Sequence, residues 1–379
     1  MEPRRGDLRM SSFTARRGSA SNRLLRAALV LVLPLCAVAH ATNGQTVAAF
    51  ELACPNATDF IVHGTVPVPP NTFPRADGQA PFMLKSYDGT LSPAQVDRVS
   101  WYTNSAQGAD VVEVTGRVHR DPAATPGTPI SFEIVDAPHP VDRPALTSAV
   151  LALRQAPMSM QLRTRDVFGN LYAADLRRGK WGRKTVKQGQ LNQEMRYYTW
   201  LEPVAPRTGP TATLPHMMGV HSYVTYWSNE DVITVDLRIN NAASGANKSP
   251  TCLIDDAQAK LYFDQLELRL PPGWTVLQDF NDPCVGTPQA HATYTEFDLV
   301  TPNANGTCHV MPQQSQFERR LAITHFGNEA RAREFLDCAY LGFCKSGNNA
   351  QGQELWSWWN AATARYFPQR HRMPAMTHI

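Results

Sequence analysis

Between Val232 and Asn240, Ile233, Val235, Leu237 and Ile239 alternate without a break with Thr234, Asp236, Arg238 and Asn240. A period of two puts the aliphatic side chains on one face of an extended chain and the polar ones on the other. That is the pattern of an antiparallel strand with one face buried. Similar runs recur along the chain with turn residues between them: Phe60-Ile61-Val62, Phe82-Met83-Leu84, Val111 to Val118, Met158 to Asp166, Leu171 to Arg178, Val220 to Trp227, Leu261 to Leu270, Trp274 to Phe280, Tyr294 to Val300 and Phe317 to Thr324. The expectation is an all-β body.

Local details sharpen that expectation. Val220 to Trp227 and the strand from Val232 read as a hairpin closed by Ser228-Asn229-Glu230-Asp231. Within the earlier run, Val112, Val114 and Gly116 face one way, and Val111, Glu113, Thr115 and Arg117 the other. Pro271-Pro272-Gly273 ends one strand and re-aims the next, with Trp274 as a core anchor under the turn. Helices are expected only over Asn328 to Cys338, with Asn328 as N-cap, and over Leu355 to Tyr366. Ala137-Pro138-His139-Pro140 marks a domain boundary, and Ala243 to Pro250 an exposed loop.

The amino terminus reads as an export signal over residues 1–41. Arg16, Arg17, Arg23 and Arg26 form a basic region, Leu24 to Val38 an apolar one, and Ala39-His40-Ala41 a small-x-small cleavage pattern. The apolar run is short for a membrane span, and Leu35 before Cys36 is too large for bacterial lipid attachment. A released, secreted or periplasmic protein starting at Thr42 is expected. Segment 1–41 carries seven of the chain's 36 basic and two of its 33 acidic residues, so cleavage leaves 29 against 31 and a net charge of −2. Such a chain has no broad electrostatic footprint for nucleic acid. Six cysteines remain, Cys54, Cys252, Cys284, Cys308, Cys338 and Cys344. In an oxidising compartment they are disulfide candidates, Cys338/Cys344 being the nearest pair and Cys284/Cys308 able to close a loop. Zinc-ligand spacings are missing, so neither metal nor cofactor is expected.

Self-sufficient catalytic signatures are also missing: there is no G-x-S-x-G elbow, P-loop, dinucleotide fingerprint or H-E-x-x-H helix. Asn56-Ala57-Thr58 and Asn305-Gly306-Thr307 fit the glycosylation sequon. Two clusters could carry chemistry. His216 precedes a strand on which His221, Tyr223, Thr225 and Trp227 share one face. Such a face either holds a sugar, rings stacking and His and Tyr exchanging protons, or is a half-buried sheet face with satisfied hydrogen bonds. Near the carboxyl terminus, Trp356, Trp358 and Trp359 are followed by Arg365, Tyr366, Arg370 and His371. These form either a platform for an acidic oligosaccharide, with guanidiniums on carboxylates, or a tail that seals the fold.

Residues Phe60 to Val118 carry Gly64-Thr65-Val66-Pro67-Val68-Pro69-Pro70, Leu84-Lys85-Ser86-Tyr87-Asp88-Gly89, Gln95-Val96-Asp97 and Ala109-Asp110-Val111-Val112-Glu113-Val114. In that order they resemble the small RIFT-type β-barrel that opens exo-rhamnogalacturonan lyase-like proteins, and the remainder resembles the β-sandwich that accompanies it. The resemblance implies a β-barrel over 42–140, a larger antiparallel β-sandwich over 141–379 with few short helices, and an extracellular role on polysaccharides, acidic ones included. A lyase of this kind takes a proton beside a uronate carboxylate and expels the glycosidic oxygen. His221 or Tyr223 would be the base and Arg365 or Arg370 the cation that neutralises the carboxylate. The alternatives are a non-catalytic carbohydrate-binding module and a cell-surface structural or interaction protein.

Overall fold

The computed structural model describes residues 46–349 apart from 54–58, 74–81, 87, 120–122, 124–128, 137–143, 242–259, 279–286 and 339–342. Everything described belongs to the unit Asn43–Ile379. In chain order the elements are β1 (Thr46–Ala53), β2 (Asp59–Pro67), β3 (Phe82–Ser86), β4 (Leu91–Trp101), β5 (Ala109–His119), β6 (Pro129–Asp136), α1 (Ser148–Gln155), β7 (Gln161–Asp166), β8 (Leu171–Asp175), β9 (Gly182–Gln188) and β10 (Asn192–Trp200). They continue as β11 (Glu202–Pro203), β12 (Gly219–Trp227), β13 (Val232–Asn240), β14 (Lys260–Leu270), β15 (Trp274–Gln278), β16 (Gln289–Ala290), β17 (Thr295–Val300), β18 (His309–Pro312), β19 (Gln316–His325), α2 (Glu329–Cys338) and β20 (Phe343–Asn349). The protein is all-β, with two short α-helices among the described residues.

Three antiparallel sheets result. The first has the order β2-β5-β4-β3-β6-β1-β20, an open half-barrel. The second runs β15-β19-β13-β12-β10-β9, and the third β11-β8-β7-β14-β17-β16 with β18 on β14. β20 lies beyond the second and third sheets in sequence, yet it pairs with β1.

The second and third sheets form the sandwich. Ile233, Val235, Leu237 and Ile239 of β13, with Val220, Val224 and Tyr226 of β12, meet Leu162, Leu266, Leu268 and Phe297 from the opposite sheet in one apolar core. Trp274 lies in the same core, as its place after the Pro-Pro-Gly turn requires. The half-barrel has its own core of Val62, Leu84, Val96, Val112, Val114 and Phe132. Gly116 permits it, because a Cβ there would stand 2.5 Å from Leu84 Cδ1. A third, smaller cluster joins Ile61, Trp227, Val232 and Ala322 to Ala332, Phe335 and Leu336 of α2.

The expected helix over Asn328 to Cys338 is α2. Asn328 stands before it, its carbonyl accepting from Ala332 N at 3.1 Å and its side-chain amide donating to Thr324 Oγ1 at 2.8 Å. The helix α1 was not expected from sequence. Its signal is the single hydroxyl of Thr147, which accepts from Val150 N at 3.3 Å, and it docks Val150 and Leu153 into the sandwich core. The loop Ala243 to Pro250, the boundary Ala137–Pro140 and the helix over Leu355 to Tyr366 lie outside the described residues. Among the described residues, no helix is long and apolar enough to cross a membrane.

Candidate functional site

Alternation along the second sheet leaves one face for the sandwich core and turns the other outward. On β10 the outward set is Glu194, Arg196, Tyr198 and Trp200; on β12 it is His221, Tyr223, Thr225 and Trp227. The register sets Lys184, Arg196, Tyr223, Asp236 and Arg320 in one row across five strands. Tyr198, His221, Arg238 and Glu318 form the next row.

This face is built of rings and guanidiniums. The guanidinium carbons of Arg238 and Arg196 stand 5.3 and 5.9 Å from the Tyr223 ring centre. His221 stacks on Tyr198 at 4.1 Å, and Arg196 Nη2 lies 3.1 Å from His221 Nδ1. A guanidinium has no lone pair to accept with, so Nδ1 must be the acceptor and the ring is the neutral Nε2–H tautomer. Burial lowers the His221 pKa, and the charges of Arg196 and Arg238 lower it further. His221 therefore offers an N–H donor. Its base nitrogen is taken, which removes it as the proton acceptor expected from sequence and leaves Tyr223.

Beside this face the half-barrel contributes a charged seam that sequence reasoning missed. Asp97 of β4 lies directly opposite Glu113 of β5, on the side turned away from the half-barrel core. His63 Nε2 donates to Glu113 Oε1. Lys187 of β9 bridges Glu113 at 2.5 Å and Glu194 of β10 at 2.9 Å, joining the two sheets. Only 16% of the Lys187 side chain and 10% of that of Glu113 are exposed, so the seam is nearly closed to water. Burial alone would raise Glu113, but the His63 hydrogen bond and the His63 and Lys187 charges outweigh it and hold the carboxyl at about 2. Burial dominates for Asp97, which is pushed up to about 6 despite the hydrogen bond it accepts from Gln95 Nε2 at 2.7 Å. Asp236 is raised by burial as well. Two neighbouring carboxylates thus have environments that push their proton affinities apart, as in acid–base pairs. A sequence pattern shows this only once β4 and β5 are paired in register.

A second pair, Glu267 and Glu296, lies on the outer face of the third sheet. Arg269 Nη2 is 3.1 and 2.6 Å from their oxygens. Burial and Glu296 push Glu267 up to about 7, and at 1% exposure it is closed to ligands.

Trp227, expected on the ligand face, is 6% exposed. Its indole donates to Thr234 Oγ1 at 3.0 Å and meets Phe335 edge-on at 4.9 Å. The outward side of β12 is capped at that end by α2, so Trp227 packs as core instead of contacting ligand. Cys308 carries a free thiol, which corrects the expected closure with Cys284. The turn before it is closed by its own polar groups, Asn303 Nδ2 donating to Thr307 O and Thr307 Oγ1 to Asn305 Oδ1. Of the other cysteines, Cys54, Cys252 and Cys284 lie outside the described residues, as do Trp356, Trp358, Trp359, Arg365, Tyr366, Arg370 and His371. Only the backbone of Cys338 and Cys344 is described, at the end of α2 and in β20.

No protein-family model matches the chain, and no curated protein matches it. Among solved structures it is similar to an alpha-mannosidase from Enterococcus faecalis V583, at 9% identity and a TM-score of 0.37 over 81% of this chain and 46% of that one. A Glycosyl Hydrolase Family 38 protein from Enterococcus faecalis matches at 10% identity and a TM-score of 0.36 over 78% and 47%. The chain spans about half the length of either protein. No residue role is carried over from them.

Proposed function

We propose that the protein is a secreted carbohydrate-binding protein that takes an acidic oligosaccharide on the outward face of the second sheet. The observation that carries this is the placement of Tyr223 between Arg196 and Arg238, next to the neutral His221. Guanidiniums match a carboxylate in a planar, two-point fashion, and aromatic rings cover the C–H face of a sugar. The Nε2–H of His221 adds a donor for a ring hydroxyl or glycosidic oxygen. The resemblance of residues 60–118 to the opening barrel of exo-rhamnogalacturonan lyase-like proteins supports the same ligand class, and the export signal supports the compartment.

A second reading makes the same face catalytic. Tyr223 Oη takes the proton beside a uronate carboxylate and passes it to the departing glycosidic oxygen as the C–O bond breaks, Arg196 and Arg238 holding the charge that builds on the carboxylate, which leaves an unsaturated end. Incubation with a panel of uronate polysaccharides separates the two. Binding without new ultraviolet absorbance supports the binding protein, absorbance that Tyr223→Phe abolishes supports the lyase, and retention of no glycan refutes both.

A further inference from the structure

Next to that face stands an aromatic column of which the sequence singled out only His216. Trp181 lies against Trp200 with ring centres 4.4 Å apart and planes tilted by 34°, and Trp200 stacks on His216 at 4.0 Å. Trp200 Nε1 donates to Tyr198 Oη at 3.2 Å, which locks the middle ring to the Tyr198–His221 stack. The backbone at Trp181 is fixed as well, and Lys180 Nζ lies 5.5 Å from its ring centre. Trp181 N donates to Tyr198 O at 3.0 Å, and the turn before it is tight enough that a Cβ on Gly179 would lie 2.5 Å from Gly182 O. Despite this support Trp181 is 50% exposed. A large ring half in water at the end of such a column contributes little to the core and presents a binding surface.

The surroundings are locally basic. Residues 177–187 hold Arg177, Arg178, Lys180, Arg183, Lys184 and Lys187 and no acid. Arg177, Lys180 and Lys187 are engaged by Asp175, Glu202 and the seam. Arg178 and Lys184 are exposed, and among the described residues neither has a carboxylate partner, whereas Arg183 turns to the other face of β9 and lies over the Tyr197 ring at 5.8 Å. β9 is the edge of the second sheet, so these charges also repel a second copy of the strand.

We propose that Trp181, backed by Trp200 and His216, is a subsite for one anionic pyranose, with its carboxylate or sulfate held by Lys184 of β9 and Arg178 of the turn before it. This rests on carbohydrate being the ligand, and extends the site by one sugar beyond Tyr198 and His221. A single free ring suits one pyranose, whereas a nucleic-acid strand uses successive rings in a wide positive groove.

The test is calorimetric titration of the full chain with an oligogalacturonate, a sulfated galactan oligosaccharide, a neutral galactan oligosaccharide of equal length and a single-stranded oligonucleotide. The expected result is salt-sensitive binding of one or both anionic sugars, at least about tenfold tighter than the neutral one. The two anionic arms tell carboxylate from sulfate. Trp181→Ala should weaken binding about tenfold, the order expected of one lost ring contact, and Trp181→Phe should restore part of it. The Arg178→Gln/Lys184→Gln double variant leaves the column intact and should weaken only the anionic arms, which keeps the question open to experiment if Trp181→Ala fails to fold. Unchanged affinity in both the Trp181→Ala and double variants overturns the subsite and leaves the carbohydrate reading standing. Equal binding of neutral and charged sugars, or a preference for the oligonucleotide, overturns the ligand class. Absence of all sugar binding sinks the carbohydrate reading together with the subsite.

Discussion

Gln95 and Asn192, 97 positions apart in the chain, are bonded twice: Gln95 Oε1 accepts from Asn192 N at 2.9 Å, and Gln95 Nε2 donates to Asn192 Oδ1 at 3.1 Å. The same oxygen accepts from Leu191 N at 3.1 Å. One amide side chain of the half-barrel thus satisfies two backbone donors at the start of β10. Gly189 makes room for it, since a Cβ there would stand 2.3 Å from Gln95 Cδ.

Gln95→Ala leaves both buried N–H groups without a partner. It is expected to lower stability by about 2 kcal/mol, the scale of a buried donor left unmade. Gly189→Ala should act in the same direction by pushing Gln95 away. Urea unfolding of the two variants checks this, and additive losses in the double variant would argue against a shared cause.

Lys187 links Glu113 to Glu194 across the seam. Lys187→Met leaves two nearly buried carboxylates facing each other and is expected to cost about 3 kcal/mol. Adding Glu113→Leu and Glu194→Leu should recover most of that loss, as apolar packing replaces the uncompensated charges. Thermal midpoints of the single and triple variants decide it.

The seam predicts a pH dependence with a definite sign. Asp97 binds its proton more tightly folded than unfolded, rising from 3.8 to about 6, so its contribution is favourable below pH 4 and is lost as pH climbs through 6. Glu113 runs the other way, from 4.5 down to about 2, and its contribution is lost as pH falls through that window. Asp97→Asn is therefore expected to be the more stable protein at pH 7, by about 1 kcal/mol after allowing for water at a half-buried carboxylate. The gain should vanish near pH 4, and chemical denaturation across pH 4 to 8 measures it.

Tyr223→Phe keeps the ring between Arg196 and Arg238 and removes only the hydroxyl. Under the binding function it should change glycan affinity by less than about threefold, whereas Arg196→Gln should weaken acidic glycans by about tenfold or more, since a charge-assisted hydrogen bond is lost. Under the lyase reading the same phenylalanine variant should lose turnover and keep binding. Titration and absorbance on one set of samples separate these outcomes.

Much of the architecture was legible before any coordinates. A period of two is a local property of extended backbone, so many of the strands between Phe60 and Thr324, the β12–β13 hairpin and the two faces of β12 could be read directly, whereas β1, β6, β9 and β10 were not singled out. The helix α2 was legible too. α1 was not, because eight residues with one capping threonine carry too little periodic signal.

The side-chain alternation on β12 and β13 follows from the amino-acid order alone, and it already decided that Tyr223 and His221 would share one face away from the sandwich core, whereas β10 with Arg196 came only from the structure. Which of them stays available for chemistry was decided elsewhere. α2 buries Trp227, Arg196 occupies the acceptor nitrogen of His221, and Lys187 ties β9 to a glutamate 74 residues earlier in the chain. Those outcomes depend on the distance and the water left between groups from different elements, quantities that exist only after the sheets have packed, whereas alternation is set residue by residue by the backbone itself.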